Sequence, residues 1–229
     1  MSEASGEGDR RVEASGARGP GRAVGGPAPR GLSRGQRAAK RALDVAGAAV
    51  GLVLAAPVLA VAYALAARDT GASGVFRQTR VGKDGRPFTI YKLRTMRAGA
   101  PGTTVTTAAD ARITPLGRTL RRYKLDELPQ LVNVLRGEMS FVGPRPDVPG
   151  FADRLEGDDR VVLSIRPGIT GPASLAFRDE EALLAAQDDP EAYNRDVVWP
   201  EKVRINRRYI EDYSVLGDVR YILQTALGR

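Results

Sequence analysis

With 229 residues, 42% of them hydrophobic, the chain has room for one sizeable domain and appendages but not for two large domains. Lysine and arginine number 35 against 27 acids, a formal charge of +8, which favours anionic partners such as phosphate esters, acidic lipid headgroups or nucleic acid. Cysteine and histidine are both absent, which excludes disulfides, thiolate nucleophiles, zinc sites of the usual kind and histidine-based triads; chemistry is left to carboxylates, Lys, Arg, Tyr, Ser or Thr, and any metal to a hard cation on oxygen ligands.

Residues 1–39 are rich in Gly, Ala, Ser, Pro and Arg and carry almost no large apolar side chain, so they cannot bury enough surface to offset chain entropy. They read as a disordered basic tail, with seven arginines between Arg10 and Arg37. No apolar run follows the start closely enough for a signal peptide.

The run from Ala42 to Ala67 has 26 residues with Asp44 as its only charge, longer than the roughly 20 residues that cross a bilayer. Pro57 removes one helical hydrogen bond and meets the carbonyl of Val53, which predicts a kink or break there. Basic residues flank both ends, Lys40 and Arg41 before and Arg68, Arg77 and Arg80 after, so the positive-inside bias selects no orientation. A re-entrant anchor that bends at Ala56-Pro57 and a single crossing both fit these facts.

The stretch "VFRQTRVGKDGRPFTIYKLRTM" predicts a β-hairpin, with arms at Val75–Val81 and Pro87–Leu93 and turn chemistry at Asp84-Gly85. Seven basic residues oppose one acid between Gly74 and Arg97. Arg77, Arg80, Lys92 and Arg94 suit either phosphate groups or acidic headgroups, the latter worth about 1 kcal/mol per basic residue near the surface.

In "YKLDELPQLVNVLRG", Leu128, Leu131, Val132 and Leu135 recur at helical spacing, with Pro129 suited to a first turn and Gly137 to a C-cap. A helix is predicted from near Asp126 to near Arg136, with Asp126 at or next to its N-cap and Glu127 in its first turn. Arg118, Arg121, Arg122 and Lys124 precede the two acids without an intervening carboxylate, so the pair lies where cations can hold an anionic substrate against it. Downstream, "GPRP" fixes Arg145 between Pro144 and Pro146. Toward the C-terminus "DEEALLAAQ" predicts a short helix, Pro200 opens one through Arg208, and Ser214 caps the last. In that last helix Leu216, Val219, Ile222, Leu223 and Ala226 form a stripe that reads as core, with a membrane surface as the alternative.

"KRALD", Pro57, "VFRQTRVGKDGRPFTIYKLRTM", "LDELPQLVNVLRGEMSFVGPRP", "RPGITG" and "YIEDYSVLGDVRYILQTAL" occur in order over roughly residues 40–227. In these segments the chain resembles the bacterial sugar transferases that act as monotopic polyprenyl-phosphate phosphoglycosyl transferases. The resemblance implies an α+β, mostly helical fold: a re-entrant helix-break-helix membrane anchor over 40–70, broken at Pro57, and a compact cytoplasmic catalytic domain over 71–229 with a β-hairpin and amphipathic interfacial helices. It implies that Asp126 attacks the β-phosphate of a UDP-sugar and that polyprenyl (undecaprenyl) phosphate then takes the phosphosugar. Asp126 and Glu127 would hold Mg²⁺, and Lys92, Arg121 and Arg145, joined by Arg80 and Arg94, would contact phosphate or nucleotide.

Membrane lipid is then a partner and nucleic acid is not, a homo-oligomer is compatible, and the expected location is the cytoplasmic face of the bacterial inner membrane. "PASLAFRDEEALLA" after "RPGITG" departs from the Gln-Val-Gly-Arg-Asn type of continuation common in relatives, which leaves the sugar undetermined, and Tyr213 stands where relatives often have Trp, a mild change for a residue that packs or sits at the interface. The rival classes are a non-catalytic membrane scaffold, which gives the acid pair no purpose, and a basic nucleic-acid-binding protein, which needs no apolar run.

Overall fold

The computed structural model describes residues 31–99 and 110–228, so most of the tail expected over 1–39 lies outside the described residues. The first helix, α1 (Arg34–Thr70), begins inside that stretch. Ser33 Oγ accepts from the Gln36 amide at 3.2 Å while Gln36 Oε1 accepts from the Ser33 amide at 2.8 Å, a reciprocal cap that accounts for the early start. The helix ends at Gly71, whose φ of 69° is the left-handed value that favours glycine.

The interruption expected at Pro57 is not found: α1 is helical on both sides of it and through it. Packing explains the continuity. Ala48 and Leu52 before the proline, and Leu59, Ala62 and Ala66 after it, are all held against the rest of the chain. One lost hydrogen bond is a local cost that such contacts offset. The opposite face is apolar and open, with Val50, Val53, Leu54, Val58 and Val61 exposed, Val53 to 75%. Among the described residues α1 is the one helix long and apolar enough to cross a membrane.

The hairpin has the predicted arms, β1 (Val75–Val81) and β2 (Pro87–Leu93), paired antiparallel from Val75 opposite Leu93 to Val81 opposite Pro87. Its turn places Asp84 and Gly85 at φ 58° and 76°. Helix α2 (Pro115–Arg122) is capped by Thr114, whose Oγ1 accepts from the Gly117 amide at 2.9 Å. The single helix expected from Asp126 is instead two pieces. A 3₁₀ turn over Leu125–Glu127, entered through Lys124 at φ 57°, is followed by α3 (Gln130–Arg136), which closes at Gly137. Pro129 has no N–H to join the two pieces, so Asp126 does not cap α3.

Two short strands, β3 (Ser140–Val142) and β4 (Gly168–Thr170), pair in parallel. They bring the "GPRP" and "RPGITG" segments together so tightly that a Cβ at Gly168 would collide with the backbone of Gly143. The remaining helices are α4 (Pro172–Ala176), α5 (Glu180–Ala185), α6 (Pro190–Tyr193), α7 (Trp199–Glu211) and α8 (Val215–Ala226). Pro200 lies in the first turn of α7, and Ser214 caps α8 by accepting from the Gly217 amide at 3.0 Å.

The charged residues of "KRALD" fasten α1 to the rest. Lys40 Nζ meets Asp218 Oδ2 of α8 at 2.6 Å, Arg41 donates to the Val134 and Leu135 carbonyls at the end of α3, and Asp44 Oδ1 accepts from Ser140 Oγ and the Phe141 amide. Lys40 and Arg41, which the sequence reads as flanks of an apolar run, are therefore joints within the fold. Tyr213 is buried, and its hydroxyl donates to Asp218 at 3.3 Å.

Most of the α8 stripe is not core as expected: Leu216 is 82% exposed, Leu223 55% and Val219 38%, while Ile222 of the same stripe packs inward beside Val215 and Tyr221. Helical periodicity marks an apolar face without saying what covers it.

Candidate active site

The turn between α2 and α3 carries Asp126 and Glu127, both buried. Glu127 Oε1 accepts from Arg145 Nη2 at 2.6 Å and from Lys92 Nζ at 3.1 Å. Burial alone would raise the Glu127 carboxyl, but Arg145 and Lys92 outweigh it and hold the group well below the usual carboxylate range. Glu127 in turn raises Arg145, whereas burial and then Arg145 lower Lys92. Asp126 goes the other way: burial first, and the Glu127 charge second, raise its carboxyl. Its Oδ1 is buried with no hydrogen-bond partner. One carboxylate is thus clamped by two cations while its neighbour keeps a buried oxygen without a partner.

Local structure fixes these groups. Strand alternation places Lys92 on the hairpin face shared by Gln78 and Arg80, which the register brings into neighbouring rows. Asn133 of α3, fully buried, donates from Nδ2 to the Thr89 carbonyl at 2.7 Å and accepts from the Tyr91 amide at 3.2 Å, pinning the outer edge of β2 to the helix that follows the dyad. Arg145 is held through its two prolines. The Pro144 carbonyl accepts from the Gly168 amide at 2.8 Å, and the Pro146 carbonyl accepts from Arg80 Nη1 at 3.1 Å. The Val81 amide adds a bond to the Asp147 carbonyl at 2.9 Å, so the edge of β1 carries this loop.

The structure therefore gathers Lys92, Asp126, Glu127 and Arg145, with Arg80 supporting the Arg145 loop. Arg121 stands nearby: its Nε donates to Thr95 Oγ1 and its Nη1 to Glu181 Oε1, both at 3.0 Å, and its charge reaches Asp126. Arg94 is directed elsewhere, toward the Ser73 carbonyl at 2.8 Å and over the Phe76 ring.

Sequence reasoning passed over Asp147, Glu180 and Lys202. Burial pushes Asp147 up to about 7, against the opposing charges of Lys202, Arg80 and Arg145. Lys202 of α7 pairs with Glu180 of α5 at 2.6 Å. Asp147 follows "GPRP" directly and was legible as its neighbour, whereas nothing local links residue 180 to residue 202. Asn133, a polar residue in an apolar helix, was also a signal.

No group of three or more acids able to hold a metal occurs among the described residues. The donor set nevertheless fits Mg²⁺, which commonly takes one or two carboxylates and completes its shell with substrate phosphates and water. The buried, unpartnered Oδ1 of Asp126 is a suitable oxygen, and Glu127 Oε1 is already shared by two cations.

The family described as bacterial sugar transferase matches residues 35–228. The chain is 37% identical over 191 residues to the UDP-glucose:undecaprenyl-phosphate glucose-1-phosphate transferase of Caulobacter vibrioides, covering 81% of this chain and 67% of that one. It is 36% identical over 202 residues to the Escherichia coli protein of the same name, covering 85% of this chain and 40% of that one. The exopolysaccharide production protein ExoY of Rhizobium meliloti is 30% identical over 204 residues, covering 82% and 83%. The match takes in α1, the hairpin, the dyad turn and α8 together, and the chain belongs to the bacterial sugar transferase family, whose enzyme class is that of a phosphoglycosyl transferase.

Proposed function

We propose that the protein transfers a phosphosugar from a UDP-sugar to polyprenyl (undecaprenyl) phosphate through a covalent intermediate on Asp126. The observation that carries this reading is the asymmetric dyad: a buried carboxylate with an unpartnered oxygen beside one fixed by Lys92 and Arg145. The named relatives act on UDP-glucose and undecaprenyl phosphate, which supports the same substrate classes here.

In the first step an Asp126 carboxylate oxygen attacks the β-phosphorus, the bond from that phosphorus to the bridging oxygen breaks, and UMP leaves with the electron pair. In the second, a phosphate oxygen of the polyprenyl acceptor attacks the same phosphorus and Asp126 leaves as its carboxylate. A carboxylate needs no general base for this, which suits a chain without histidine. Arg145, Lys92 and Arg121 bind and orient the diphosphate and stabilise charge as it moves to the leaving group. Mg²⁺, held by Asp126 and Glu127 with the donor's phosphates, would supply further charge neutralisation.

The lipid acceptor calls for a site at headgroup depth. The two ends of α1 pack on one globular body, through Lys40 and Asp44 at one end and Ala66 and Thr70 at the other, and its free face is apolar. Such a helix does not carry the chain away from that body, which supports a monotopic anchor over a single crossing, although α1 runs unbroken through Pro57 and lacks the helix-break-helix form of a re-entrant anchor; the catalytic domain is proposed to lie on the cytoplasmic face of the bacterial inner membrane.

The test uses membranes containing the full chain, Mg²⁺, polyprenyl phosphate and a panel of UDP-sugars, reading UMP release, with intact-mass detection of a phosphosugar adduct when the acceptor is left out. Asp126→Asn is expected to abolish both signals. Full UMP release by that variant would end the covalent reading.

A further inference from the structure

We propose that Gln130, one helical turn beyond the dyad, is a further catalytic residue: its side-chain amide donates to Asp126 in the phosphosugar intermediate, holding the carboxyl oxygen that is not bonded to phosphorus. The inference rests on the phosphosugar-transfer reading above. Two buried orphans of opposite sense lie in this segment. Asp126 Oδ1 is an acceptor without a partner, and Gln130 Nε2 is a donor without one, in a residue only 2% exposed. Native folds keep few such atoms, and two in neighbouring turns call for a common cause.

Backbone geometry brings the two side chains together. After Lys124 the chain winds with bonds three residues apart: the Leu128 amide donates to the Leu125 carbonyl at 3.3 Å, Leu131 to Leu128 at 3.1 Å and Val132 to Pro129 at 3.1 Å. With that winding, side chains three residues apart line up. Glu127, Gln130 and Asn133 therefore share a row, and both ends of the row touch β2: Glu127 meets Lys92, and Asn133 meets Thr89 and Tyr91. Gln130 is set between these contacts. It also neighbours Asp126, since residues four apart on a helix have Cβ atoms about 5 to 6 Å from each other, a gap that a glutamine side chain spans.

Asn133 shows what a structural peg in this row looks like. It is fully buried, and its amide group is matched three times, by the Thr89 carbonyl, by Glu138 Oε2 at 2.7 Å and by the Tyr91 amide. Gln130 Nε2 has no such match, and its N–H is left for a bond that forms during reaction. Hydrogen bonds of catalytic groups often tighten only once substrate is bound.

In the intermediate one oxygen of the Asp126 carboxyl is bonded to phosphorus, and the other is a carbonyl oxygen that accepts from Gln130. When polyprenyl phosphate attacks, the bond from phosphorus to Asp126 breaks and its electron pair returns to the carboxylate. The hydrogen bond strengthens as that charge grows, and no proton moves. A neutral donor suits the place, because Lys92 and Arg145 already share Glu127 Oε1 and a third cation would repel Mg²⁺. The same donor stabilises the free carboxylate against the first attack, so its loss shifts the balance toward the adduct.

The experiment uses the full chain in membranes with Mg²⁺ and, as donor, whichever of UDP-glucose, UDP-galactose and their N-acetylamino forms releases UMP from the wild type. Adduct is formed without acceptor, followed by intact mass, and then discharged with undecaprenyl phosphate. Gln130→Met keeps the length of the side chain and loses the N–H. It is expected to slow discharge about 10- to 100-fold relative to formation, the loss expected of one hydrogen bond to a charged group, with Tm within about 2 °C of the wild type or higher. Gln130→Leu should show the same split, and it serves if the first variant does not fold. Formation and discharge slowed by one factor with a lower Tm, or loss of folding in both variants, would make Gln130 a peg like Asn133 and overturn the proposal. Unchanged discharge would overturn it too, assigning Nε2 to a buried water and sparing the transfer reading. Absence of UMP release or of adduct from the wild type with every donor would remove the covalent transfer reading and this inference with it.

Discussion

Two buried aspartates show how differently one fold uses the same group. Asp218, 1% exposed, has both oxygens matched: Oδ1 accepts from Tyr209 at 2.6 Å, and Oδ2 meets Lys40 at 2.6 Å and Tyr213 at 3.3 Å. Asp126, 7% exposed, is buried with Oδ1 unmatched and with an anion, Glu127, beside it. An unmatched buried polar atom costs about 1 to 3 kcal/mol, and native folds keep few of them. At the joint between α1 and α8 the chain satisfies the carboxylate; in the dyad turn it leaves one oxygen without a partner, as the proposed nucleophile would require.

The widest contrast comes from making the same substitution at both places. Asp218→Asn strands the buried Lys40 ammonium, and the loss is expected to be about 3 kcal/mol, or roughly 6 to 12 °C in Tm by calorimetry or a fluorescence melt. Asp126→Asn removes a strained charge instead, so Tm should hold within about 2 °C or rise, while UMP release falls at least about a thousandfold. Equal destabilisation by the two variants would make the dyad turn a structural joint like the other.

Asp147 stands between these extremes, and its contribution depends on pH. Folding raises its carboxyl from 3.8 to about 7, so the folded chain holds this proton more tightly than the unfolded one. The stabilisation is full below about pH 4 and is lost as pH rises through about 7. Asp147→Asn lacks that titration. Its Tm should exceed that of the wild type by a gap that widens from pH 5 to pH 8, by about 1 to 2 kcal/mol after allowance for partial exposure. A gap that narrows over the same range would mean that Asp147 is ionised and well paired in the folded chain.

The contrast also explains what could be read in the sequence. The hairpin arms were legible to the residue, because β-prone runs flank an Asp-Gly turn, and the cap at Ser214 and the first-turn Pro200 were legible because their chemistry is local. The acid pair stood out through its basic neighbours. Its geometry did not, because Pro129 and the left-handed Lys124 divide what periodicity alone joins into one helix. The joints were hidden for another reason. Lys40 and Asp218 lie 178 positions apart, and Glu180 and Lys202 are linked only by the packing of α5 on α7, so no local pattern announces either pair. Lys40 and Arg41 looked like membrane flanks because their partners are distant.

The smallest expected effect separates the two faces of α8. If Leu216 and Leu223 faced core, replacing each with a polar residue would cost several kcal/mol through cavities and buried polar groups. At 82% and 55% exposure they have little packing to lose, so the Leu216→Gln, Leu223→Gln double variant should leave Tm within about 2 °C of the wild type. What it should lose is affinity for a lipid surface, since each leucine contributes at most about 1.5 to 3 kcal/mol on leaving water. The open face of α1 supplies the larger apolar area, so partition onto phosphatidylcholine and phosphatidylglycerol vesicles should weaken while the chain stays bound, by less than loss of the α1 face would cause. A lowered Tm with unchanged partition would assign the stripe to a protein contact; unchanged Tm with weaker partition would place α8 on the membrane beside α1.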